Sequence, residues 1–270
     1  MQSQVRELIQ TMTLNEVTLT IAYSTLTKRL GNIQYSKSSP DREIIVLVQN
    51  PDESNYNTEK LQGKLVELKS RGVAKSRNAA IQYASGKYLI FGDDDITFVE
   101  EGIQKCISYF ESHPDCSIIM AQTSDEYGKL RKTYPKKAHK LSRFNSAKAA
   151  TYELMVRIES IRNAGIKFDE NFGAGADNYL GDEYIFIADS IKKGLKGVFL
   201  PIKVAIHPSE SSGSAWGTQR DLGARAKVFS RVFGPIAPFF RALFLIKSQL
   251  FKFRKGRVGI LNSLRFIIGR

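Results

Sequence analysis

Three carboxylates stand side by side in Lys87-Tyr-Leu-Ile-Phe-Gly-Asp-Asp-Asp-Ile-Thr-Phe98. Tyr88 to Phe91 read as a buried strand, so Asp93, Asp94 and Asp95 fall at a strand end that water only partly reaches. Like charges this close repel one another, and a cation would relieve them. Along extended backbone side chains alternate, so Asp93 and Asp95 point one way and Asp94 the other. Gly92 just before them leaves room for a ligand. Hard carboxylate oxygens suit Mg²⁺ or Mn²⁺, which bind a few protein oxygens together with substrate phosphates. A nucleotide diphosphate bridged through such an ion would neutralise the cluster and be stabilised as a leaving group. A solvated turn is the plain alternative; an EF-hand is not, because its alternating ligands and sixth-position glycine are missing.

Further groups could serve the same chemistry. Gly72-Val-Ala-Lys-Ser-Arg-Asn-Ala-Ala80 places Lys75, Arg77 and Asn78 near a helix N-terminus, suited to phosphate or ribose oxygens or simply to solvent. Asp182 and Glu183 open a helix after the glycine-rich turn Phe168-Asp-Glu-Asn-Phe-Gly-Ala-Gly175. The helix dipole accounts for carboxylates there, and a general base taking a proton from an acceptor hydroxyl accounts for them equally. His207 is either structural or a neutral imidazole completing a metal shell. There is no GxxxxGK[ST] loop, and Gly173-Ala-Gly-Ala-Asp-Asn178 is not a GxGxxG fingerprint.

The elements that must hold these groups form a strand–helix alternation. Strands are expected at Val17 to Tyr23, Glu43 to Val48, Lys64 to Lys69, Lys87 to Phe91, Cys116 to Gln122 and Gly197 to Pro201, the last stopped by its proline. Helices are expected at Lys75 to Ser85, Val99 to Glu111 and Tyr179 to Gly194, with 127–150 as loop. The class is α/β, a mostly parallel central sheet with helices on both faces, and ligands sit beyond the carboxyl ends of such strands.

Composition divides the 270 residues in two. Net charge is +13, but Leu222 to Arg270 carries eleven Lys/Arg and no Asp/Glu, leaving +2 for residues 1–221. The body, 1–221, is an ordinary near-neutral domain and 222–270 a basic appendage. Residues 226–270 hold eight of the sixteen phenylalanines and ten basic residues. The longest nearly uncharged run, Val232 to Ile246, contains Pro235, Pro238 and Arg241 and falls short of the ~20 apolar residues of a spanning helix. Interleaved basic and aromatic residues suggest a helical segment in the interface of an anionic membrane; the apolar content exceeds what a nucleic-acid patch needs. A helix packed on the body is the alternative. Cys106 and Cys116 match neither a disulfide framework nor a zinc spacing, and the N-terminus lacks a signal-peptide layout, so a reducing cytoplasmic setting is expected.

Together these motifs, over about Val17 to Gly213, resemble the family-2 glycosyltransferases of the GT-A fold, of the bacterial surface-polysaccharide type. Gly72 to Asn78 looks like the family's Arg-Asn segment, Phe91-Gly-Asp-Asp-Asp-Ile96 like its aspartate motif and Gly181-Asp-Glu-Tyr-Ile-Phe186 like its acidic-pair helix. His207-Pro-Ser-Glu-Ser-Ser-Gly213 looks like its late metal-histidine segment. The resemblance implies inverting, divalent-cation-dependent transfer of a sugar from a nucleotide-diphospho-sugar to a glycan acceptor; the basic tail adds the expectation of an enzyme peripheral on the inner face of the membrane, with a lipid-linked acceptor. It implies Asp95, Asp93 and His207 as metal ligands, and Asp93, Asp94, Arg77, Asn78, Lys75 and Tyr23 as donor contacts. The family's Glu-Asp pair reads Asp-Glu here; the base position falls on Glu183, with Asp182 as the other candidate. The proline usual after the first strand is Ala22, and Gln49-Asn50 replaces the acidic residue that reads the base. Two rivals remain. A nucleotidyltransferase would carry a glycine-rich loop after the first strand, where only Gly31 occurs; a non-enzymatic membrane- or nucleic-acid-binding protein would show no divalent-dependent nucleotide binding.

Overall fold

The computed structural model describes residues 17–208, 218–248 and 259–269. The N-terminal segment, most of the expected histidine segment and tail residues 249–258 lie outside them. Strands β1 (Leu19–Leu26) and β2 (Arg42–Gln49) bury consecutive residues, so both of their faces are covered. β3 (Lys64–Leu68), α1 (Val73–Tyr83) and β4 (Tyr88–Asp93) follow, then β5 (Thr97–Phe98), α2 (Glu100–Ser112) and β6 (Cys116–Ser124). β7 (His139–Lys140), β8 (Leu154–Arg157), α3 (Ile158–Asn163), α4 (Asp182–Lys192) and β9 (Lys196–Ile206) complete the body.

Alternation decides the layers. Ile21, Tyr23, Val46 and Val48 pack with Ile103, Cys106 and Phe110 of α2 on one face. Ala22, Ile45 and Leu47 pack with Ala80 and Ile81 of α1 and Phe186 and Ile187 of α4 on the other. α2 lies so close to β9 that a Cβ on Gly102 would stand 1.9 Å from the Lys203 carbonyl oxygen.

The sheet runs β3-β2-β1-β4-β8-β6-β9-β5, with β7 on β9. β1 to β4 are mutually parallel, as the apolar runs predict. β8 runs antiparallel to both β4 and β6, and it has no counterpart in the sequence reading. Its four residues are too few to show a period. β2 and β4 flank β1 on opposite sides, and the three aspartates lie at the carboxyl end of β4, the place where ligands of such sheets bind. β9 does not stop at Pro201. It continues to Ile206, and the ladder with β6 shifts register between Phe199 and Lys203. A residue without an N–H sits at that irregularity, so the proline is absorbed rather than terminal.

Three further helices follow. α5 (Gln219–Phe233) is capped by Thr218, whose Oγ1 accepts from the Asp221 N–H at 3.2 Å. α6 (Ala237–Lys247) and α7 (Ile260–Ile268) follow. Val228 and Phe233 of α5 join Phe172, Tyr184 and Ile185 in a cluster shared with the body. Arg231 bridges Asp169 and Asp189 at 2.8 and 2.7 Å. The stretch Gln219–Lys247 is long and apolar enough, by composition, to cross a membrane. It is nonetheless a hairpin. Phe229 and Phe244, about 22 Å apart along one continuous helix, have ring centroids 5.4 Å apart, and the chain turns at Gly234 with φ +57°.

Candidate active site

The three aspartates are handled separately. Asp94 is buried and accepts from Thr25 Oγ1 at 2.7 Å. Arg29, in the turn after β1, pairs with Asp94 and stands 3.4 Å from Asp95 Oδ2. Burial raises the Asp94 carboxyl above its usual range, while Thr25 and Arg29 oppose the rise. Asp94 therefore ties the turn after β1 to β4 and turns no free oxygen to a ligand. Asp93 leans the other way, with Oδ1 3.8 Å from Arg77.

Arg77 is the hub of the site. It is buried on α1, its guanidinium 5.6 Å from the Phe168 ring centroid. It pairs with Asp182 and lies 3.5 Å from Glu183 Oε1. Three carboxylates thus surround one cation. Burial, with the Glu183 charge beside it, pushes the Asp182 carboxyl up to about 7 against the pull of Arg77. Glu183 is less buried and accepts from Thr151 Oγ1 at 2.9 Å. The glycine-rich turn makes this packing available: at Gly173, φ +96°, a Cβ would stand 2.7 Å from Asp182 Cγ.

His207 closes the far side, at the end of β9. Its Nδ1 lies 2.8 Å from the Pro208 carbonyl oxygen and donates to it, so a neutral ring would carry its lone pair on Nε2. Nε2 is 3.9 Å from Asp95 Oδ1, and that oxygen is buried without a hydrogen-bond partner. Among the described residues no three His, Cys, Asp or Glu side chains gather as a metal-binding group. An orphaned carboxylate oxygen facing an imidazole nitrogen still fits a divalent ion, since Mg²⁺ is held by one or two protein groups plus phosphates and water.

Other sequence expectations land elsewhere. Tyr23 is fully buried, its ring packed by Tyr35 and Phe98 at 5.6 and 5.8 Å, so it offers a donor no surface. The space left by Gly92 is filled by those rings: a Cβ there would meet Phe98 at 2.9 Å and Tyr23 at 3.1 Å. Asn78 spends its amide on the protein, donating to the Phe168 carbonyl at 3.0 Å and accepting from the Phe168 N–H at 2.8 Å. Lys75 is half-buried in the first turn of α1 and pairs with no carboxylate among the described residues.

Three contributors were not foreseen: Arg29, Thr151 and Tyr152. The Tyr152 ring lies 5.2 Å from His207, and burial and then the charges of Glu153, Asp93 and Glu183 raise its hydroxyl. Glu153 anchors this segment through Lys132 Nζ at 2.8 Å and the Tyr134 hydroxyl. Only Arg29 left a trace in sequence, as one of two basic residues after β1.

Comparison with known proteins gives the class of this fold. The family model of glycosyl transferase family 2 matches residues 12–171, and the chain belongs to that family. No curated protein matches it in sequence. Among solved structures, S. aureus TarS 1-349 superposes with TM-score 0.59 at 12% identity, over 93% of this chain and 80% of that one. The same fragment in complex with UDP-GlcNAc gives TM-score 0.55 at 15% identity, over 87% and 73%. Against S. aureus TarS itself the values are 0.55 and 14%, over 87% of this chain and 44% of that one, so the chain spans less than half of that protein. The likeness is one of fold, GT-A, and the chain is a glycosyltransferase.

Proposed function

We propose that the protein moves a sugar from a nucleotide-diphospho-sugar to a hydroxyl of a glycan or lipid-linked acceptor, with inversion at the anomeric carbon. The observation that carries this reading is the unsatisfied Asp95 Oδ1 opposite His207 Nε2, two residues from Asp93, which with Asp182 and Glu183 surrounds Arg77. Asp95 and His207 would hold Mg²⁺ or Mn²⁺, whose charge offsets that of the departing diphosphate. A uridine diphosphate donor is favoured because TarS of the same fold was solved with UDP-GlcNAc and with UDP. Lys75, which pairs with no carboxylate among the described residues, would meet the donor phosphates.

Glu183 is the general base. It is the more accessible member of the acidic pair, whereas Asp182 is committed to Arg77. Thr151 and Arg77 orient it. Glu183 takes the acceptor hydroxyl proton as that oxygen bonds to the anomeric carbon, and the bond to the diphosphate oxygen breaks with its electron pair. The enzyme works at the inner face of the cell membrane, in surface-polysaccharide synthesis. The test is release of UDP from a panel of UDP-sugars with Mn²⁺ and candidate acceptors. Glu183→Gln should cut kcat by about 10²-fold or more with UDP affinity retained; unchanged kcat would remove Glu183 from the reaction.

A further inference from the structure

Helices α5, α6 and α7 form a layer held together by a buried arginine. Arg241 donates to the Ala226 carbonyl at 2.9 Å and to the Ile267 carbonyl at 3.0 Å, and it also pairs with Ser230 Oγ. With no carboxylate among these partners, it serves as a polar rivet between three helices. One side of the layer is closed against the body, through Val228 and Phe233. The other side is open and apolar. On α6, Phe239, Leu243 and Ile246 are spaced as one stripe and are 62%, 44% and 71% exposed. On α7, Ile260, Leu264 and Ile268 repeat the pattern.

The body adds to this surface. The ring of Phe144, 59% exposed, lies tilted 5.5 Å from that of Phe240, which meets Phe239 at 5.3 Å. The Arg143 guanidinium covers the Phe144 ring at 5.0 Å, and the Arg143 carbonyl accepts from the Tyr184 hydroxyl. Tyr184 is the residue after Glu183. The exposed aromatic edge is therefore one hydrogen bond from the helix that presents the base.

We propose that this face, Phe144 with α6 and α7, docks on an anionic lipid bilayer. Charge selects the occupant: Leu222 to Arg270 contains eleven Lys/Arg and no Asp/Glu, and Lys247 and Arg265 lie on the two exposed helices. Exposed apolar stripes that carry Lys247 and Arg265, in a segment whose sequence holds no acidic residue, fit an interface of acyl chains beneath anionic headgroups, whereas a self-associating face would set its own cations against each other. The inference deepens the peripheral placement proposed above, and it assigns the contact to α6, α7 and the Phe144 loop while leaving α5 to the body. Docked this way, the enzyme meets a lipid-linked hydroxyl beside α4.

The test is co-sedimentation of the full chain with vesicles of 1:1 phosphatidylglycerol and phosphatidylcholine, and of phosphatidylcholine alone. Each Lys or Arg at an anionic surface contributes about fivefold in partition, so binding to the anionic vesicles should be at least about tenfold the stronger and should weaken with salt. The variant Phe239→Glu/Leu243→Glu/Ile246→Glu changes only exposed positions; it should lose about tenfold or more in partition while keeping UDP release with a water-soluble acceptor. Equal partition of wild type and variant overturns the proposal. So does a wild-type dimer in sedimentation equilibrium that the variant dissociates without change in lipid binding. Absence of UDP release in wild type would instead count against the transfer reading alone.

Discussion

Replacing Arg77 by methionine keeps a long side chain on α1 and removes the charge that three carboxylates share. Arg77 and Asp182 are both buried, so the loss is that of a buried pair with one partner left behind, about 3–5 kcal/mol. That is a large part of the ~5–15 kcal/mol that holds a domain folded. The cost must depend on pH. Asp182 already titrates at about 7 in the folded protein, against about 3.9 in an unfolded chain. A carboxyl whose folded pKa is raised binds protons that the unfolded chain has released, so its contribution to stability falls as pH rises from about 4 towards the folded pKa. Without Arg77 the folded pKa rises further, and the variant goes on losing stability above 7, where wild type has levelled off. Urea denaturation followed by circular dichroism at pH 5.5 and pH 8 reads this directly. The expected deficit is about 3 kcal/mol or more at pH 8 and about 1.4 kcal/mol smaller at pH 5.5, the worth of the one unit by which pH 8 exceeds the folded pKa of Asp182. A deficit under about 1 kcal/mol at pH 8, or one equal at both pH values, refutes the hub.

Asn78→Ala removes both hydrogen bonds to the Phe168 backbone and should cost about 1–3 kcal/mol in denaturant titration; a neutral substitution would show that the loop stands without it. Gly173→Ala puts a Cβ against Asp182 at φ +96°, so a loss of about 1–3 kcal/mol should accompany a fall in kcat. The pH dependence of kcat/KM should show an acid limb near 7, because the Asp182 carboxyl beside the base is pushed up to about 7 by burial. Asp182→Asn should move that limb to lower pH, and an unmoved limb would assign it to another group.

What could be read in advance was what local pattern encodes. The apolar runs of β1, β2 and β4 and the glycine-bounded helices needed no tertiary information, and the aspartates and acidic pair lie at element ends where sequence order places them. The partners did not show, because they are set by packing between distant segments. Arg29 reaches Asp95 across 66 residues, and Thr151 reaches Glu183 across 32. Asn78 carried the right chemistry for a ligand, yet its partner is the loop 90 residues away. Pro201 looked like a strand end because propensity ignores the bulge that accommodates it. The hydrophobic tail resembled a free amphipathic segment because many of its described apolar residues are indeed exposed, while Val228, Phe233 and Ala237 complete a cluster whose other members come from the body.

The central claim is that Asp95 and His207 seat a divalent cation carrying the donor's diphosphate. Calorimetric titration of UDP into wild type and Asp95→Asn, each in Mn²⁺ and in EDTA, tests it most directly. Wild type should bind UDP at least about tenfold more tightly with Mn²⁺ than without, and Asp95→Asn should show no such difference. UDP affinity in wild type that is indifferent to Mn²⁺, or a metal dependence that survives in Asp95→Asn, would contradict it.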